Sequence, residues 1–422
     1  MEFKNLSKQN LYRSVSLFTG AGGLDLGLQM AGFHAISAVE KDPHCINTLT
    51  HPKNRVWWEK TKIFSDSIED ISSDSLLDLH FPFELHLLAG GPPCQPFSKS
   101  GYWYSGDSGR LADPRSSTLK EYLRVLADLK PTVFLLENVP GLAFTKKQEG
   151  LEYLRKEIDN INRRVGTKYS FSAAQLNAAK FGVPQTRERV FVIGHKGGKV
   201  FRFPEATHYV NEAEATNNKD EQKLLRCLTA WDALSKVKTS ECEDLRVRGK
   251  WADLLPSIPE GKNYLYHTAR GEGEEIFGWR TRYWSMLLKL AKSKPSWTLT
   301  AQPGPAIGPF HWENRRLSAD ELCALQTFPK GYHIEGSILS AHKQLGNAVP
   351  SLLAEILGRE ILKQFFGEEI QDGPSLAITR SRKTPNPHPV TSVPQQFMNL
   401  VANHPPHPGQ GMGPGAQQRD NN

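Results

Sequence analysis

Cysteine is scarce in this 422-residue sequence, which contains five cysteines and no CxxC pair. An odd number of widely spaced cysteines excludes a disulfide framework and a zinc cluster built on cysteine pairs, and it is typical of a reducing compartment. No apolar run approaches the roughly 18 residues of a membrane helix, and the N-terminal segment lacks the apolar stretch of a signal peptide. The sequence therefore predicts a cytoplasmic protein without a membrane partner.

A strong charge of either sign is also missing. Lys and Arg number 52 and Asp and Glu number 45, which gives a net charge of +7 and an isoelectric point near 9.0. This modest excess permits a polyanionic partner such as a nucleic acid but does not establish one. The length exceeds what one compact core usually contains, so two lobes are expected.

Short apolar runs alternate with helix-like stretches from residue 14 to about residue 195. The runs predicted to be buried strands are 14–18, 34–40, 85–90, 132–137 and 189–194. The spacing of apolar residues over 119–129 predicts a helix between two of these strands. Such alternation is typical of an α/β protein with a doubly wound parallel sheet, in which functional residues occupy the loops after the strands.

Beyond residue 200 the apolar periodicity weakens, and glycine, proline, tryptophan and charged residues mix without a clear pattern. The segment 317–328 is then predicted to be a helix, because Ser318 and Glu321 have the spacing of a capping box. The segment 350–366 is predicted to be a second helix, with its proline near the first turn.

These patterns divide the chain into three parts. The first lobe covers residues 1–200 and is completed by a returning helix over 343–368. A smaller, irregular lobe covers residues 201–342. From 372 to 422 the sequence is rich in Pro, Asn, Gln, Gly and His and cannot bury enough apolar surface to fold, so we expect a disordered tail.

A glycine-rich turn follows the first predicted strand. Gly20, Gly22 and Gly23 allow the backbone to turn tightly and to approach a ligand. The turn is not the dinucleotide fingerprint, because the position of the third glycine is occupied by Asp25. Glu40, at the end of the second strand, has the spacing of a carboxylate that accepts hydrogen bonds from ribose hydroxyls. A helix cap or a solvated charge is the alternative interpretation of Glu40, but together with the glycines it favours an adenosyl ligand.

Cys94 follows two prolines in the loop after the strand 85–90. A lone cysteine is more often inert core than nucleophile, but the flanking Gly, Pro and polar residues argue against burial here. The next strand ends in Glu137, so the sheet is expected to present a thiol and a carboxyl at one edge. Arg187 and Arg189 are two residues apart where a further strand begins, and two guanidinium groups beside a thiol favour the thiolate.

At this point the sequence resembles the cytosine-5 DNA methyltransferases. The matching blocks, in the family's order, are FTGAGG (18–23), GPPCQPFS (91–98), ENV (137–139), QTRER (185–189), RRLSADELCALQTFP (315–329) and QLGNAVP (344–350). The resemblance implies a Rossmann-like, S-adenosylmethionine-dependent methyltransferase lobe over 1–200 and a smaller target-recognition lobe over 201–342.

The resemblance also implies roles for individual residues. The catalytic residues would be Cys94, Glu137, Arg187 and Arg189. The residues on the cofactor side would be Phe18, Gly20, Gly22, Gly23, Glu40, Asp66 and Asn347. The match is loosest at Asp66, where SDS replaces a more usual GDI-like string, so that Asp66 is equally typical of a helix cap.

The implied chemistry needs these groups. Addition of the Cys94 thiolate to carbon 6 of cytosine makes carbon 5 nucleophilic, and a protonated Glu137 near ring nitrogen 3 would relieve the developing negative charge. Methyltransferases are among the enzymes that flip a base out of the duplex. The donor is S-adenosylmethionine, and no metal is expected because the sequence has no obvious cluster of metal ligands.

The stretch 276–300 contains five basic residues and no acidic one, with three tryptophans among them. Its basic residues, predicted to contact DNA phosphates, are Arg280, Arg282, Lys289, Lys292 and Lys294. An ordinary amphipathic helix with core tryptophans explains the same pattern. The stretch lies where the family has its recognition lobe, which favours the DNA-binding interpretation.

Other functions remain open from the sequence. The first alternative is an RNA cytosine-5 methyltransferase, although the long insert between residues 189 and 315 favours double-stranded DNA. The second is a catalytically silent DNA-binding regulator on the same scaffold, and a nicotinamide oxidoreductase is third. The resemblance and the size together imply a monomeric bacterial modification enzyme that works beside a restriction endonuclease.

Overall fold

The computed structural model of the protein describes residues 12–77, 84–93, 117–142, 149–212, 214, 224–239, 243–279 and 283–404. The chain forms two compact units. The first unit comprises Met1–Thr239, Pro295–Gln302 and Ser318–Arg382. The second unit comprises Ser240–Lys294, Pro303–Leu317 and Lys383–Asn422. Among the described residues, no helix is long and apolar enough to span a lipid bilayer.

The first unit contains every described strand. In chain order these are β1 (Tyr12–Leu17), β2 (Phe33–Val39), β3 (Lys62–Phe64), β4 (Leu87–Gly90), β5 (Val133–Asn138), β6 (Ser170–Asn177), β7 (Gln185–Thr186), β8 (Glu188–His195), β9 (His208–Tyr209), β10 (Leu225–Arg226) and β11 (Ser296–Trp297). Seven of them form one sheet in the order β3-β2-β1-β4-β5-β8-β6, while β7 pairs with β11 and β9 with β10.

The prediction of an α/β fold with a parallel sheet is confirmed for the first five strands. Strands β1 to β5 pair in parallel across the middle of the sheet. Strand β8 is antiparallel to both β5 and β6, so the parallel prediction is wrong for residues 189–194. The reason is the short connection from β6 to β8, since a parallel crossover needs about a dozen residues or more.

Helices cover both faces of this sheet. The described α-helices are α1 (Gly23–Ala31), α2 (Pro43–Thr50), α3 (Arg55–Trp58), α4 (Ser117–Leu129), α5 (Glu149–Val165), α6 (Ala230–Leu234), α7 (Ala319–Leu325), α8 (Ile338–Asn347), α9 (Ser351–Ile361) and α10 (Gln395–Met398). Shorter 3-10 turns span Pro52–Asn54, Ile68–Asp70, Ser73–Leu76, Pro140–Leu142, Ala178–Phe181, Ala252–Ser257 and Tyr264–His267.

The core of the first unit has one apolar layer on each face of the sheet. In β5, Phe134 and Leu136 pack in the layer that α4 and α5 supply, whereas Val133 and Leu135 pack in the layer of α1 and α9. Successive side chains of a strand point to opposite faces, and a strand buried on both faces is therefore apolar throughout. This explains why the strands appear in the sequence as continuous apolar runs.

Two of the predicted helices are confirmed with changed ends. Helix α7 begins after Ser318, which together with Glu321 forms the predicted capping box. Helix α9 follows Pro350 and ends at Ile361, and the chain continues in a π-helical turn over Leu362–Phe366. Helix α9 packs against α1 in the first unit.

Close packing of α1 on α9 depends on Gly27. A Cβ atom at this position would lie 2.1 Å from the Ser351 carbonyl oxygen and 2.6 Å from the Ala354 Cβ. Both neighbours belong to α9, so a side chain at position 27 would force the two helices apart. Since these helices form one face of the core, the separation would open the layer beneath them.

We expect Gly27→Ala to lower the free energy of unfolding by about 2 kcal/mol, because the overpacking cost exceeds the gain in helix propensity. The measurement is urea denaturation followed by far-ultraviolet circular dichroism. The matched control is Gly373→Ala, since a Cβ at Gly373 would meet no atom within 4 Å. Equal midpoints for the two variants would contradict this account of the helix contact.

The second unit is small and irregular, and its bounds differ from the predicted second lobe over 201–342. Residues up to Thr239 belong to the first unit, as do Pro295–Gln302 and Ser318–Arg382. Phe201 shows the physical reason, because it is buried with Phe365 in the apolar layer of α9. The apolar periodicity of the sequence weakens near residue 200, but the chain beyond that point still packs on the first unit. The predicted boundary at residue 200 therefore lies too early in the chain.

The prediction of a disordered tail over 372–422 is wrong for the residues that the structure describes. Glu355 accepts hydrogen bonds from the main-chain N–H groups of Ser375 and Leu376. Phe397, in α10, is buried in the core of the second unit. A few apolar residues packed into a small unit stabilise this segment despite its composition. Residues 405–422 lie outside the described part of the chain, and the prediction of disorder stands there untested.

Candidate active site

The glycine turn lies at the carboxyl end of β1 and leads into α1. Its backbone is left-handed at Phe18, Gly20 and Gly22, with φ values of 57°, 59° and 88°. A Cβ at Gly22 would lie 2.6 Å from the Trp58 ring, whereas a Cβ at Gly20 would meet no atom within 4 Å. The glycine at 22 is therefore needed for packing, while Gly20 leaves open space beside the turn.

Glu40 directly follows β2 and faces the turn. One carboxylate oxygen accepts the N–H of Gly20 at 2.7 Å. The other oxygen accepts the N–H groups of Lys41 at 2.9 Å and Asp42 at 2.7 Å. A carboxylate offers about four acceptor positions, so these three bonds fix its orientation and leave capacity for at least one hydroxyl donor.

Two other predicted cofactor residues lie in exposed positions. Asp66 is an exposed loop residue just after β3, at the same edge of the sheet as Glu40. Asn347 is exposed at the last position of α8. Both side chains are free of the core, and their roles toward an adenosyl ligand stay predictions.

Glu137 is buried at the carboxyl end of β5, with 8% of its surface exposed. Its Oε1 lies 3.0 Å from the Nε of Arg189. Burial raises the pKa of the Glu137 carboxyl, although the guanidinium groups of Arg189 and Arg187 act in the opposite direction. Desolvation of the carboxylate thus outweighs the two positive charges, and the carboxyl holds its proton to higher pH than an exposed glutamate would.

The loop after β4 packs directly against this carboxyl. A Cβ at Gly91 would lie 2.8 Å from Oε2 of Glu137, so only glycine permits such a close approach of the backbone. The Nδ2 of Asn138 donates to the Pro92 carbonyl at 3.2 Å, which fixes the loop to the end of β5. Cys94, predicted to be the nucleophile, lies outside the described residues.

Arg187 is fully buried between β7 and β8. Its Nη1 donates to the Leu299 carbonyl at 3.3 Å and its Nη2 donates to the Gly346 carbonyl at 2.8 Å, while its Nε meets no hydrogen-bond partner among the residues that the structure describes. Burial lowers the pKa of this guanidinium well below its usual value. Arg187 therefore joins the segment 295–302 to the end of α8, next to Asn347, and its charge acts on the carboxyl of Glu137.

A family model of C-5 cytosine-specific DNA methylases matches residues 12–363. The chain belongs to this family. Its relatives include M.SacI, a type II methyltransferase of Streptomyces achromogenes, which is 36% identical over 83% of this chain and 92% of that protein. M1.HphI, a type II methyltransferase of Haemophilus parahaemolyticus, is 32% identical over 84% of this chain and 87% of that protein. The protein is thus a cytosine-5 DNA methyltransferase similar to those of restriction-modification systems.

Solved structures agree with this methylase in fold. The Entamoeba histolytica methyltransferase EhMeth superposes with a TM-score of 0.54 at 16% identity, over 84% of this chain and 99% of that chain. Dnmt2 of S. pombe gives a TM-score of 0.52 at 17% identity, over 83% of this chain and 98% of that chain. The predicted Rossmann-like methyltransferase lobe is confirmed.

The predicted DNA-binding residues of the methylase fall into three groups. Arg280 and Arg282 lie outside the described residues. Lys294 is exposed, as a phosphate contact requires. Lys289 and Lys292 are buried, with exposed fractions of 3% and 2%, which contradicts the prediction that they contact phosphate.

The local structure explains both buried lysines. Burial lowers the pKa of Lys289 to about 8, and the residue bridges to Phe310 through its backbone. Lys292 forms a buried ion pair with Glu260. In an irregular segment, the spacing of a lysine does not indicate whether its side chain is buried or exposed. Only the structure therefore distinguishes Lys289 and Lys292 from Lys294.

One contact that sequence reasoning missed is that of Gly91 with Glu137. The doubled glycine at positions 90 and 91 was the available signal, since a second glycine beyond a strand end is unnecessary for the turn alone.

Gln185 was also missed. It is fully buried, donates to Gln326 at 3.1 Å and accepts the N–H of Leu299 at 3.1 Å, which supports the same segment that Arg187 holds.

Three potential metal ligands meet elsewhere in the first unit. His51, His333 and Glu335 offer ligand atoms within 4.8 Å of one another. The sequence reading found no such cluster because its members are distant in the chain. The Nδ1 of His51 accepts the N–H of Lys53 at 3.2 Å, which leaves the proton of a neutral ring on Nε2, the atom nearer Glu335. The His51 and His333 rings lie with their centroids 3.9 Å apart and their planes inclined by 31°, and the Nε2 of His333 lies 3.0 Å from the Glu335 carboxylate, so the arrangement favours hydrogen bonding to Glu335 over coordination.

Proposed function

We propose that this methylase flips a cytosine out of a short specific site in double-stranded DNA and methylates its carbon 5 with S-adenosylmethionine, protecting the DNA from a cognate restriction endonuclease. The observation that carries the proposal is the buried carboxyl of Glu137 at the edge of the sheet. Arg189 lies against this carboxyl on one side, and the Gly91 backbone that leads to Cys94 lies against it on the other.

The donor set around the glycine turn fits an adenosyl cofactor. Glu40 would accept hydrogen bonds from ribose hydroxyls, and Gly20 borders open space in which a ligand can approach the backbone. Phe18, Asp66 and Asn347 would complete the site on the same edge of the sheet. When bound, S-adenosylmethionine supplies an electrophilic methyl group.

The covalent step is assigned to Cys94. Its thiolate adds to carbon 6 of the ring and forms a C–S bond, and the electron pair of the 5,6 double bond becomes available at carbon 5. Glu137 gives its proton to, or shares it with, ring nitrogen 3, which relieves the negative charge that develops there. After carbon 5 is methylated, loss of its proton returns the electron pair to the 5,6 double bond, and the thiolate leaves.

The two arginines support this step differently. Arg189 contacts Glu137 directly and therefore sets the position of the carboxyl beside the base. Arg187 donates to two main-chain carbonyl groups and acts as a positioning residue. Its positive charge, close enough to affect the pKa of Glu137, also favours a thiolate nearby.

The second unit is proposed to read the DNA sequence. Arg280, Arg282 and Lys294 remain the candidates for phosphate contacts, whereas Lys289 and Lys292 are withdrawn because they are buried. Tyr283 and Trp284 lie in the same stretch, and 73% and 52% of their surfaces are exposed. Exposed aromatic residues beside basic ones suit contact with the bases and the sugar-phosphate backbone.

We expect plasmid DNA from bacteria that express this chain to carry 5-methylcytosine in one short sequence context. Bisulfite sequencing measures it, with plasmid from cells that express Cys94→Ala as the control. Methyl incorporation into duplex DNA and into transfer RNA, measured side by side with the purified protein, separates the DNA enzyme from the RNA enzyme. Incorporation into transfer RNA alone would contradict the proposal.

Duplex DNA with 5-fluorocytosine at the identified site separates an enzyme from a silent regulator. Fluorine takes the place of the proton at carbon 5 and cannot leave as a cation, so the thiolate is not eliminated and an active enzyme stays joined to the DNA through sulfur. A denaturation-resistant complex is therefore expected with the wild-type protein. DNA binding without methylation and without such a complex would identify a silent regulator.

A further inference from the structure

The second unit has little regular structure to hold it together. Its described part contains two 3-10 turns, Ala252–Ser257 and Tyr264–His267, one short helix and isolated bridges. Among its described residues, a prominent source of stability is an apolar cluster whose buried members are Leu254, Leu255, Ile258, Tyr264, Ile276, Phe277, Leu287, Phe310 and Phe397. The last of these comes from residues 383–404, here called the C-terminal segment. That segment lies beyond the family match, which ends at residue 363.

The C-terminal segment first contacts a buried ion pair. Glu260 and Lys292 form this pair, and the exposed fractions of their side chains are 4% and 3%. The N–H of His388 donates to Glu260 Oε1 at 2.9 Å, and Lys292 Nζ donates to the Asn386 carbonyl at 3.3 Å. Buried charges need further hydrogen bonds, and the segment supplies one to each partner.

The middle of the segment closes the apolar cluster. The ring of Phe397 stacks on Trp251, with centroids 5.6 Å apart and planes inclined by 22°. Gln396 donates to Asp253 at 2.8 Å, and the N–H of Thr391 donates to the Pro256 carbonyl at 3.2 Å. Phe397 is thereby a member of the core and not a surface contact.

The end of the segment reaches the start of the basic, tryptophan-containing stretch 276–300. The N–H of Ala402 donates to the Glu275 carbonyl at 3.1 Å, and His404 lies 2.9 Å from the Glu275 carboxylate. A Cβ at Gly278 would lie 2.7 Å from the His404 ring. Residues 275–278 are therefore held by the C-terminal segment, directly before Trp279.

We propose that the C-terminal segment is part of the DNA-recognition unit and that Phe397 is a positioning residue for the part of the basic stretch 276–300 that follows Gly278. The proposal rests on the proposed function, since it takes the second unit to be the part that reads DNA. Phe397 anchors the segment in the core, and the residues after it hold 275–278. Loss of the Phe397 ring therefore releases the contacts that Ala402 and His404 make with residues 275–278.

The test compares three variants of the full chain. Phe397→Ala removes the anchor, Phe397→Leu restores apolar volume, and Met398→Ala changes the next residue of the same helix, which is 38% exposed. Removal of a buried aromatic ring lowers stability by more than the free energy that corresponds to a tenfold change in an equilibrium constant. We expect Phe397→Ala to weaken duplex DNA binding by about 10-fold or more, with Phe397→Leu intermediate and Met398→Ala like wild type.

Two further measurements separate positioning from general instability. The affinity for S-adenosylmethionine and the single-turnover rate at saturating DNA are expected to change less than about twofold, because both depend on the first unit. Amide hydrogen exchange of Phe397→Ala is expected to rise in 251–258 and 274–279 and to stay unchanged in β4 and β5.

Unchanged DNA affinity, or unchanged exchange in 274–279, would overturn the proposal. An equal rise of exchange throughout both units would overturn it as well, because the effect would then be one on overall stability. Failure of the proposed function is distinguishable from these outcomes: the wild-type protein would then neither bind nor methylate duplex DNA, whatever the exchange pattern of the variants.

Discussion

Replacement of Cys94 by alanine is expected to reduce methyl transfer below detection, a loss of roughly 10⁴-fold or more. Alanine cannot form the C–S bond to carbon 6, and without that bond carbon 5 of cytosine is too weak a nucleophile to accept a methyl group. Affinity for DNA and for S-adenosylmethionine should persist, since neither depends on the sulfur. The measurement is single-turnover incorporation of labelled methyl groups into duplex DNA that contains the identified site.

The control for this loss is Cys323→Ala. Cys323 is a buried thiol of α7, and burial raises its pKa, so it cannot supply a thiolate near neutral pH. This variant should keep nearly full activity and should still form the complex with 5-fluorocytosine DNA. Wild-type incorporation by Cys94→Ala would refute the covalent mechanism, and a trapped complex with that variant would place the nucleophile elsewhere.

Replacement of Glu137 by glutamine is expected to lower the rate of methyl transfer by roughly 100-fold or more, the usual scale of general acid–base help. Glutamine keeps the shape and a hydrogen-bond donor but has no proton to give to ring nitrogen 3. The ion pair with Arg189 is also lost, although a neutral amide can still accept a hydrogen bond from it. Single-turnover rates with saturating DNA and cofactor isolate this effect from binding.

The same carboxyl predicts a pH dependence with a definite sign. Burial raises the pKa of Glu137, so the proton-carrying form, which is the active one, persists to higher pH than in an exposed glutamate and is lost as the pH rises through that raised value. The wild-type rate should therefore fall on the alkaline side, and this fall should be absent from the Glu137→Gln profile.

Glu188→Gln is the control for both expectations. Glu188 begins β8 and is exposed, so its substitution should leave the rate and the pH profile as in the wild type. A Glu137→Gln rate within a few fold of wild type would remove the carboxyl from the acid role. If the rates of the wild type and of Glu137→Gln fell equally at alkaline pH, Glu137 would not be the group whose titration causes the fall.

Much of the first unit could be predicted from short segments of sequence. The apolar runs at β1, β2, β4, β5 and β8 are strands, because a strand covered on both faces must be apolar throughout. The capping box of Ser318 and Glu321 is a local signal, and it fixed the start of α7 correctly. The direction of β8 is not encoded locally. It follows from the short connection to β6, a strand absent from the sequence-based prediction.

The candidate active site could also be predicted only in part from the sequence. The sequence placed Glu137 at the end of a strand and two arginines near it, and the structure brings all three together. It could not show that Arg187 would donate to the carbonyl groups of Leu299 and Gly346, which are distant along the chain. The contact of Gly91 with the carboxyl has the same origin, because it depends on the pairing of β4 with β5.

The sequence by itself determined the alternating α/β pattern, the chemical groups of the proposed reaction and the family. Each of these depends on residue type and on spacing within a few turns of chain. Only the tertiary structure decided that Lys292 is buried against Glu260 and that Phe397 belongs to the core of the second unit. The physical reason is that burial depends on which distant segments pack together, and a segment poor in apolar residues can fold when a partner surface already exists.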